Sequence, residues 1–386
     1  MLNANWNYPT SIRVGAGRLS ELGQCCASLD IKNPLLVTDP GIAGLPLIKD
    51  ALEACSKAGL SCGIFSNVQP NPTGTNVDEG VALFNANHHD GVIAVGGGSA
   101  LDAGKAIALM ARQSVSIWDL EDVGDNWLRA EVSAIAPIVA VPTTAGTGSE
   151  VGRASVILDE ANKVKKIIFH PNMVPKIVIL DPLATVGLPP LLTAATGMDA
   201  LSHSLEAWCS PLYHPMAEGI AMEGIRLVRE NLPTAVAEGN NLEARTQMLV
   251  ASTMGATAFQ RGLGAMHALA HPLGALYNAH HGTLNAVLMP YVLIANRSVI
   301  EERITRLARG IGIENPSFDS FLDWVLALRE KVAIPKTLAD LDIDDGEAVL
   351  VGEMAAVDPS SGTNPIIYSP SQYQDIFLKA LSGKLN

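Results

Sequence analysis

The stretch "VIAVGGGSALDAGKAIAL" (92–109) reads as an apolar strand, then Gly96-Gly97-Gly98-Ser99, then a helix. A buried strand turning sharply into a helix is the repeating unit of parallel α/β sheets. Glycines in the turn let a ligand approach the backbone. The helix N-terminus behind them offers free N–H groups and positive dipole to a phosphate. Two common phosphate-loop patterns do not fit. The dinucleotide fingerprint needs a glycine where Leu101 stands and normally follows the first strand. The P-loop has four residues between its glycines, whereas five separate Gly98 from Gly104, and Lys105 precedes Ala106.

The pattern repeats outward from this turn. "LLVTD" (35–39), "CGIFS" (62–66), "IVAVPTT" (138–144) and "IVILDP" (177–182) are short apolar runs bounded by Gly, Pro or Asp, as buried strands are. "GLPLIKDALEACSKAG" (44–59) and "NVDEGVALFNANHH" (76–89) read as helices between them. The order predicts βαβ units and a mostly parallel sheet. "VPTTAGTGSE" (141–150) adds a second glycine-rich turn, in which Thr143, Thr144 and Thr147 supply hydroxyls. Two such turns in one sheet point to a nucleotide. Asp39, at the end of its strand, is placed to accept bonds from a ribose 2′-hydroxyl and to repel a 2′-phosphate, which favours NAD over NADP.

Beyond "DPLATVGLPP" (181–190) the texture changes to three-to-four-residue apolar spacing. The expected organisation is a nucleotide-binding α/β domain over residues 1–185 and an all-helical domain over 186–386. Hydrophobic residues make up 48% of the 386 and charged residues 17%, enough apolar surface for folded domains rather than disorder. The net charge of −13 argues against nucleic acid or an anionic membrane as partner. No run of apolar residues long enough for a membrane span is read, and the opening "MLNANWNYPTSIRVG" lacks the plan of a secretory signal. Five cysteines without CxxC spacing read as reduced thiols, so the expected location is cytoplasmic.

"GMDALSHSLEAW" (197–208) places Asp199 and His203 at i and i+4, on one helix face. "GAMHALAHPLGALYNAHHG" (264–282) holds His267, His271, His280 and His281, out of nine histidines in the chain. One carboxylate with several imidazoles and no thiolate suits Fe(II) or Zn(II). Spacing does not choose among the four downstream histidines.

Those motifs, with "GGGSALDAGKA", "PTTAGTGSEV", "ILDPLAT" and "GTNP" (362–365), make the chain resemble the iron-containing (group III) alcohol dehydrogenase family, of dehydroquinate synthase-like fold, over nearly its whole length. The resemblance implies a Rossmann-like N-terminal domain and a helical C-terminal one, with cofactor and metal in the cleft. It implies Asp199, His203, His267 and His281 as ligands of Fe(II), with Zn(II) as an alternative. It makes His271 a proton-relay group near the nicotinamide and gives His280 no role. For NAD it implies Asp39, Asn71, Gly97, Gly98, Ser99, Asp102, Thr143, Thr144, Thr147, Lys165 and Leu183. Members are commonly dimers, with the N-terminal strand, here "SIRVG" (11–15), at the interface.

The implied reaction moves a hydride between a small primary alcohol or aldehyde and NAD. Where many relatives have Asn before "GLG", this chain has Phe259-Gln260-Arg261. Arg261 in the substrate cleft would favour an anionic aldehyde or hydroxy acid. The alternatives are a glycerol or polyol dehydrogenase, or a dehydroquinate synthase-like lyase of the same fold; the latter needs more basic residues than the helical half supplies.

Overall fold

A computed structural model describes residues 10–385. It divides into two compact units. One runs through Thr144 and resumes over Gly148–Gly187; the other comprises Ala145–Thr147 and the chain from Leu188 onward. The signal-peptide reading falls mainly on residues 1–9, outside the described residues.

The first unit is built on six parallel strands: β1 (Ser11–Val14), β2 (Pro34–Val37), β3 (Gly63–Phe65), β4 (Gly91–Gly96), β5 (Ile138–Pro142) and, after a separate hairpin, β8 (Ile177–Leu180), in the spatial order β1-β8-β5-β4-β2-β3. Helices α1 (Leu22–Ser28), α2 (Pro46–Lys57), α3 (Gly74–Ala86) and α4 (Gly98–Met110) connect successive strands. Side chains alternate along each strand, and both faces are covered. Leu36, Ile93, Val95, Val139 and Val141 pack with Ile48, Ala51 and Cys25 of α2 and α1. Leu35, Val37, Val92 and Ile138 pack with Val77, Phe84, Ala103 and Ile107 of α3 and α4. The sheet is therefore buried on both sides, which is why its strands read as continuous apolar runs.

The sequence reading named five of these strands directly and missed the hairpin, β6 (Ala154–Asp159) and β7 (Val164–Phe169), which pair antiparallel. Its second strand, "VKKIIF", is exposed at its first residues, and its lysines disguise the strand pattern.

The second unit contains α5 (Pro190–Cys209), α6 (Pro215–Ala237), α7 (Leu242–Ala258), α8 (Ala265–Tyr277), α9 (His281–Gly310), α10 (Phe318–Lys331), α11 (Ala348–Val357) and α12 (Pro370–Ser382), and no strand among the described residues. α5 is buried on every side from Thr193 onward except at Thr196. A helix buried all round is a core helix, and its small residues let neighbours approach: a Cβ on Gly197 would meet Leu232 Cδ1 at 2.2 Å. α9 is long and apolar enough to cross a membrane by length and composition, but 67% of that window is buried inside the protein, as for a core helix.

Candidate metal centre

Asp199 and His203 lie one turn apart on α5, and both are buried. His267 enters from the first turn of α8, and His281 is the first residue of α9. One nitrogen or oxygen from each of these four residues lies within 4.8 Å of the others, and it is the only such group among the described residues. The imidazoles crowd together: His203 and His267 stack at 4.8 Å between ring centroids, and His267 and His281 are 5.3 Å apart.

The electrostatics suit a cation. Burial pushes the pKa values of His267 and His281 well below the ordinary imidazole value, so both are neutral and offer lone pairs. Burial alone would raise Asp199, but the neighbouring His203, His281 and His267 and the Asn285 amide outweigh it and hold the carboxyl at about 2. His203 Nδ1 and Asn285 Oδ1 are buried without a protein partner. A carboxylate with three imidazoles, no thiolate, and polar atoms left unsatisfied by protein fits a divalent transition-metal ion.

His271 stands beside this group and outside it. Its ring stacks on that of His281 at 5.5 Å, and its Nδ1 lies 2.8 Å from Asp358 Oδ2. His280 only precedes α9, with its Nδ1 3.4 Å from Thr283 Oγ1. Phe259 lies against the cluster, its ring meeting that of His203 edge-on at 5.2 Å.

Arg261 departs from expectation. It is 2% exposed and its guanidinium is already engaged. It pairs with Glu218 at 2.8 Å and donates to the carbonyls of Leu212 (2.6 Å) and Trp208 (3.3 Å). A buried cation needs such partners, and satisfying it there removes it as a substrate anchor.

In the sheet unit, the glycine turn follows β4. Gly96 has φ +153°, and a Cβ there would lie 2.5 Å from Ala100 Cβ; only glycine suits this bend. No side chain caps the start of α4, which leaves its first N–H groups available to an anion. Asp39 approaches from the end of β2, with Oδ2 3.4 Å from the position of a Gly96 Cβ, and Thr144 from the end of β5, 3.4 Å from that of a Gly97 Cβ. Thr143 donates its N–H to the Gly96 carbonyl at 2.9 Å. Ser99 Oγ donates to the Pro70 carbonyl, tying the loop that carries Asn71 to the turn. These residues gather at the carboxyl ends of β2, β4 and β5, where parallel sheets bind ligands.

Asp102 is engaged within the fold. Its carboxylate accepts from Ser149 Oγ and Val156 N and pairs with Lys105 at 3.2 Å, so it ties α4 to β6. Thr147 belongs to the segment that clusters with the helical unit, where Gly146 lies against Thr196. Lys165 is exposed on β7, and Leu183 is 51% exposed in the turn after β8.

Three residues near the metal group escaped the sequence reading, two of them, Glu206 and Asn285, buried. Glu206 binds His267, Asn285 donates to Asp199 at 2.9 Å, and Asp358 binds His271. Glu206 and Asn285 follow His203 and His281 by one helical turn, a spacing open to notice; Asp358 carries no local signal.

The chain matches the family model for iron-containing alcohol dehydrogenase over residues 9–182 and that for the family's C-terminal region over 193–381. It is 36% identical over 369 residues to alcohol dehydrogenase 4 of Saccharomyces cerevisiae, covering 95% of each chain. It is 38% identical over 376 residues to 1,3-propanediol dehydrogenase of Klebsiella pneumoniae, covering 95% of this chain and 96% of that one. Among solved structures, a 1,3-propanediol oxidoreductase superposes with TM-score 0.93 at 36% identity, covering 98% of this chain and all of that one. A sulfoacetaldehyde reductase from Bifidobacterium kashiwanohense, in complex with NAD+, superposes with TM-score 0.91 at 29% identity, covering 99% of this chain and all of that one. The chain belongs to the iron-containing alcohol dehydrogenase family. It is an NAD-dependent alcohol dehydrogenase of that type, and the lyase alternative is not favoured.

Proposed function

We propose that Asp199, His203, His267 and His281 hold one divalent ion, Fe(II) or Zn(II), and that the turn at Gly97–Ser99 with Asp39, Asn71, Thr143 and Thr144 holds NAD. Thr147, Lys165 and Leu183 complete the proposed nucleotide contacts. The observation that carries this reading is the convergence of one carboxylate and three imidazoles within 4.8 Å, three of the four residues buried. When bound, the ion supplies a Lewis acid for the substrate oxygen and NAD+ supplies the hydride acceptor.

The protein's own groups orient the substrate and move its proton. Asp358 accepts from His271 Nδ1, which leaves His271 Nε2 as the acceptor for the alcohol proton. The ring is 36% exposed, enough to pass that proton on toward water. Phe259 presents an apolar edge beside His203 and favours the carbon chain of a small neutral primary alcohol or its aldehyde. With Arg261 committed to Glu218, no cation from that position selects an acidic substrate.

The N-terminal strand supports a homodimer: among the described residues β1 pairs with β8 on one side only, and Ile12 and Val14 are 36% and 39% exposed. Five free cysteines support a cytoplasmic location. A panel of alcohols and aldehydes on metal-reconstituted protein, with NAD and NADP, tests the reading. NAD-linked turnover of short primary alcohols supports it; turnover confined to polyols or hydroxy acids contradicts the substrate assignment.

A further inference from the structure

α8 begins in an unusual way. Gly264 precedes it and supplies no side-chain cap. The first N–H groups of the helix go instead to side chains far away in sequence. Gly264 N and Met266 N donate to the Glu206 carboxylate at 2.8 and 2.7 Å, and Ala265 N donates to Asn364 Oδ1 at 3.0 Å. Glu206 Oε2 also lies 2.6 Å from His267 Nδ1. Gly264 makes room for this: a Cβ there would meet Asn364 Oδ1 at 2.8 Å and Glu206 Oε1 at 3.0 Å.

Both Glu206 oxygens already accept backbone N–H groups, Oε2 from Gly264 and Oε1 from Met266, and Oε2 stands where it accepts a third hydrogen from His267 Nδ1. Its Nε2 then carries a bare lone pair. That atom lies 3.2 Å from Asn285 Nδ2, the same amide that donates to Asp199, so it faces the ligand group. Glu206 and His267 are 4% and 1% exposed, which keeps water from replacing the carboxylate. Glu206 also sits on α5 with Asp199 and His203. One core helix therefore provides two donors of the site and aims a third.

We propose that Glu206 is a positioning residue for the metal: it locks His267 in the Nδ1–H tautomer and commits the Nε2 lone pair to the ion. This rests on the metal reading above. Outer partners of ligating histidines typically change metal affinity by about 10- to 100-fold when replaced. They act by fixing ring orientation and raising basicity at the ligating nitrogen.

The test compares Glu206→Gln with Asn364→Ala, which removes a cap from the same helical turn without touching the ring. For each loaded protein, the chelator concentration that strips half the metal and the melting temperature of the stripped form are measured. The proposal expects Glu206→Gln to lose metal at about 10- to 100-fold lower chelator, while Asn364→Ala matches the wild type after a comparable loss in melting temperature. Equal metal retention in Glu206→Gln and wild type, or equal loss in both variants, overturns it. If Glu206→Gln does not fold, nitrogen NMR of metal-free wild type labelled at histidine decides. The hydrogen of His267 on Nδ1 upholds the proposal, and on Nε2 refutes it. A wild type that binds no ion defeats the metal reading itself, while leaving the tautomer result to stand separately.

Discussion

Gly282 lies against Ala195: a Cβ on Gly282 would stand 2.4 Å from the Ala195 carbonyl oxygen and 3.1 Å from Asp199 Cβ. The glycine after His281 is thus what allows the start of α9 to reach α5 at the level of Asp199. Two donors of the ligand group meet through this contact of backbones.

Gly282→Ala is predicted to push α9 away from α5 and to separate His281 from Asp199. Overpacking of this kind destabilises by about 1–3 kcal/mol. Metal content after dialysis should fall well below that of the wild type, and the melting temperature should drop with it. Full metal content in a folded Gly282→Ala protein would show that α9 needs no such approach.

His267 and His271 share a helix, one turn apart, but are assigned different roles in this account. His267→Ala is predicted to lose both metal and turnover. His271→Ala should keep its metal and lose turnover by about 10²- to 10⁴-fold, the range for a removed proton-transfer group. Metal analysis beside kcat separates the two variants. Loss of metal in His271→Ala would return that residue to the ligand set.

Arg261→Ala is predicted to act on stability and not on substrate choice. It removes two bonds to backbone carbonyls and one ion pair, although Arg303 and Arg306 still face Glu218 at 2.8 Å. A loss of about 2 kcal/mol is expected, read by denaturant unfolding. The ratio of kcat/KM for a neutral aldehyde and an equally long semialdehyde acid should stay that of the wild type. A selective loss on the acid would place Arg261 in contact with substrate after all.

Asp39 sets the cofactor preference in this account. Asp39→Gly removes a carboxylate that would repel a 2′-phosphate, and it should raise kcat/KM with NADP relative to NAD on the order of tenfold. An unchanged ratio would mean that the ribose is read elsewhere.

The sheet was legible because its strands are buried on both faces. Leu36 and Ile93 face one helical layer, Leu35 and Val92 the other, and the sequence shows apolar runs cut by Gly and Pro. The Asp199–His203 pair was legible as one turn of a core helix. The downstream histidines were not separable by spacing, because their partners come from far along the chain. Glu206, 61 residues before His267, and Asp358, 87 residues after His271, give the two rings different partners. The family resemblance implies different roles for the two rings. Neither spacing nor resemblance exposed Arg261, whose position before the histidine motif suggested the substrate, whereas its surroundings on α5 and α6 bind it within the fold.

Dependence on the metal is the claim on which the rest stands. Wild-type protein is stripped with chelator and titrated with Fe(II) or Zn(II), and NADH formation from a short primary alcohol is followed at each addition. The account predicts negligible activity in the stripped protein, recovery that saturates near one ion per chain, and no recovery in Asp199→Ala. Undiminished NADH formation by the stripped protein would contradict it.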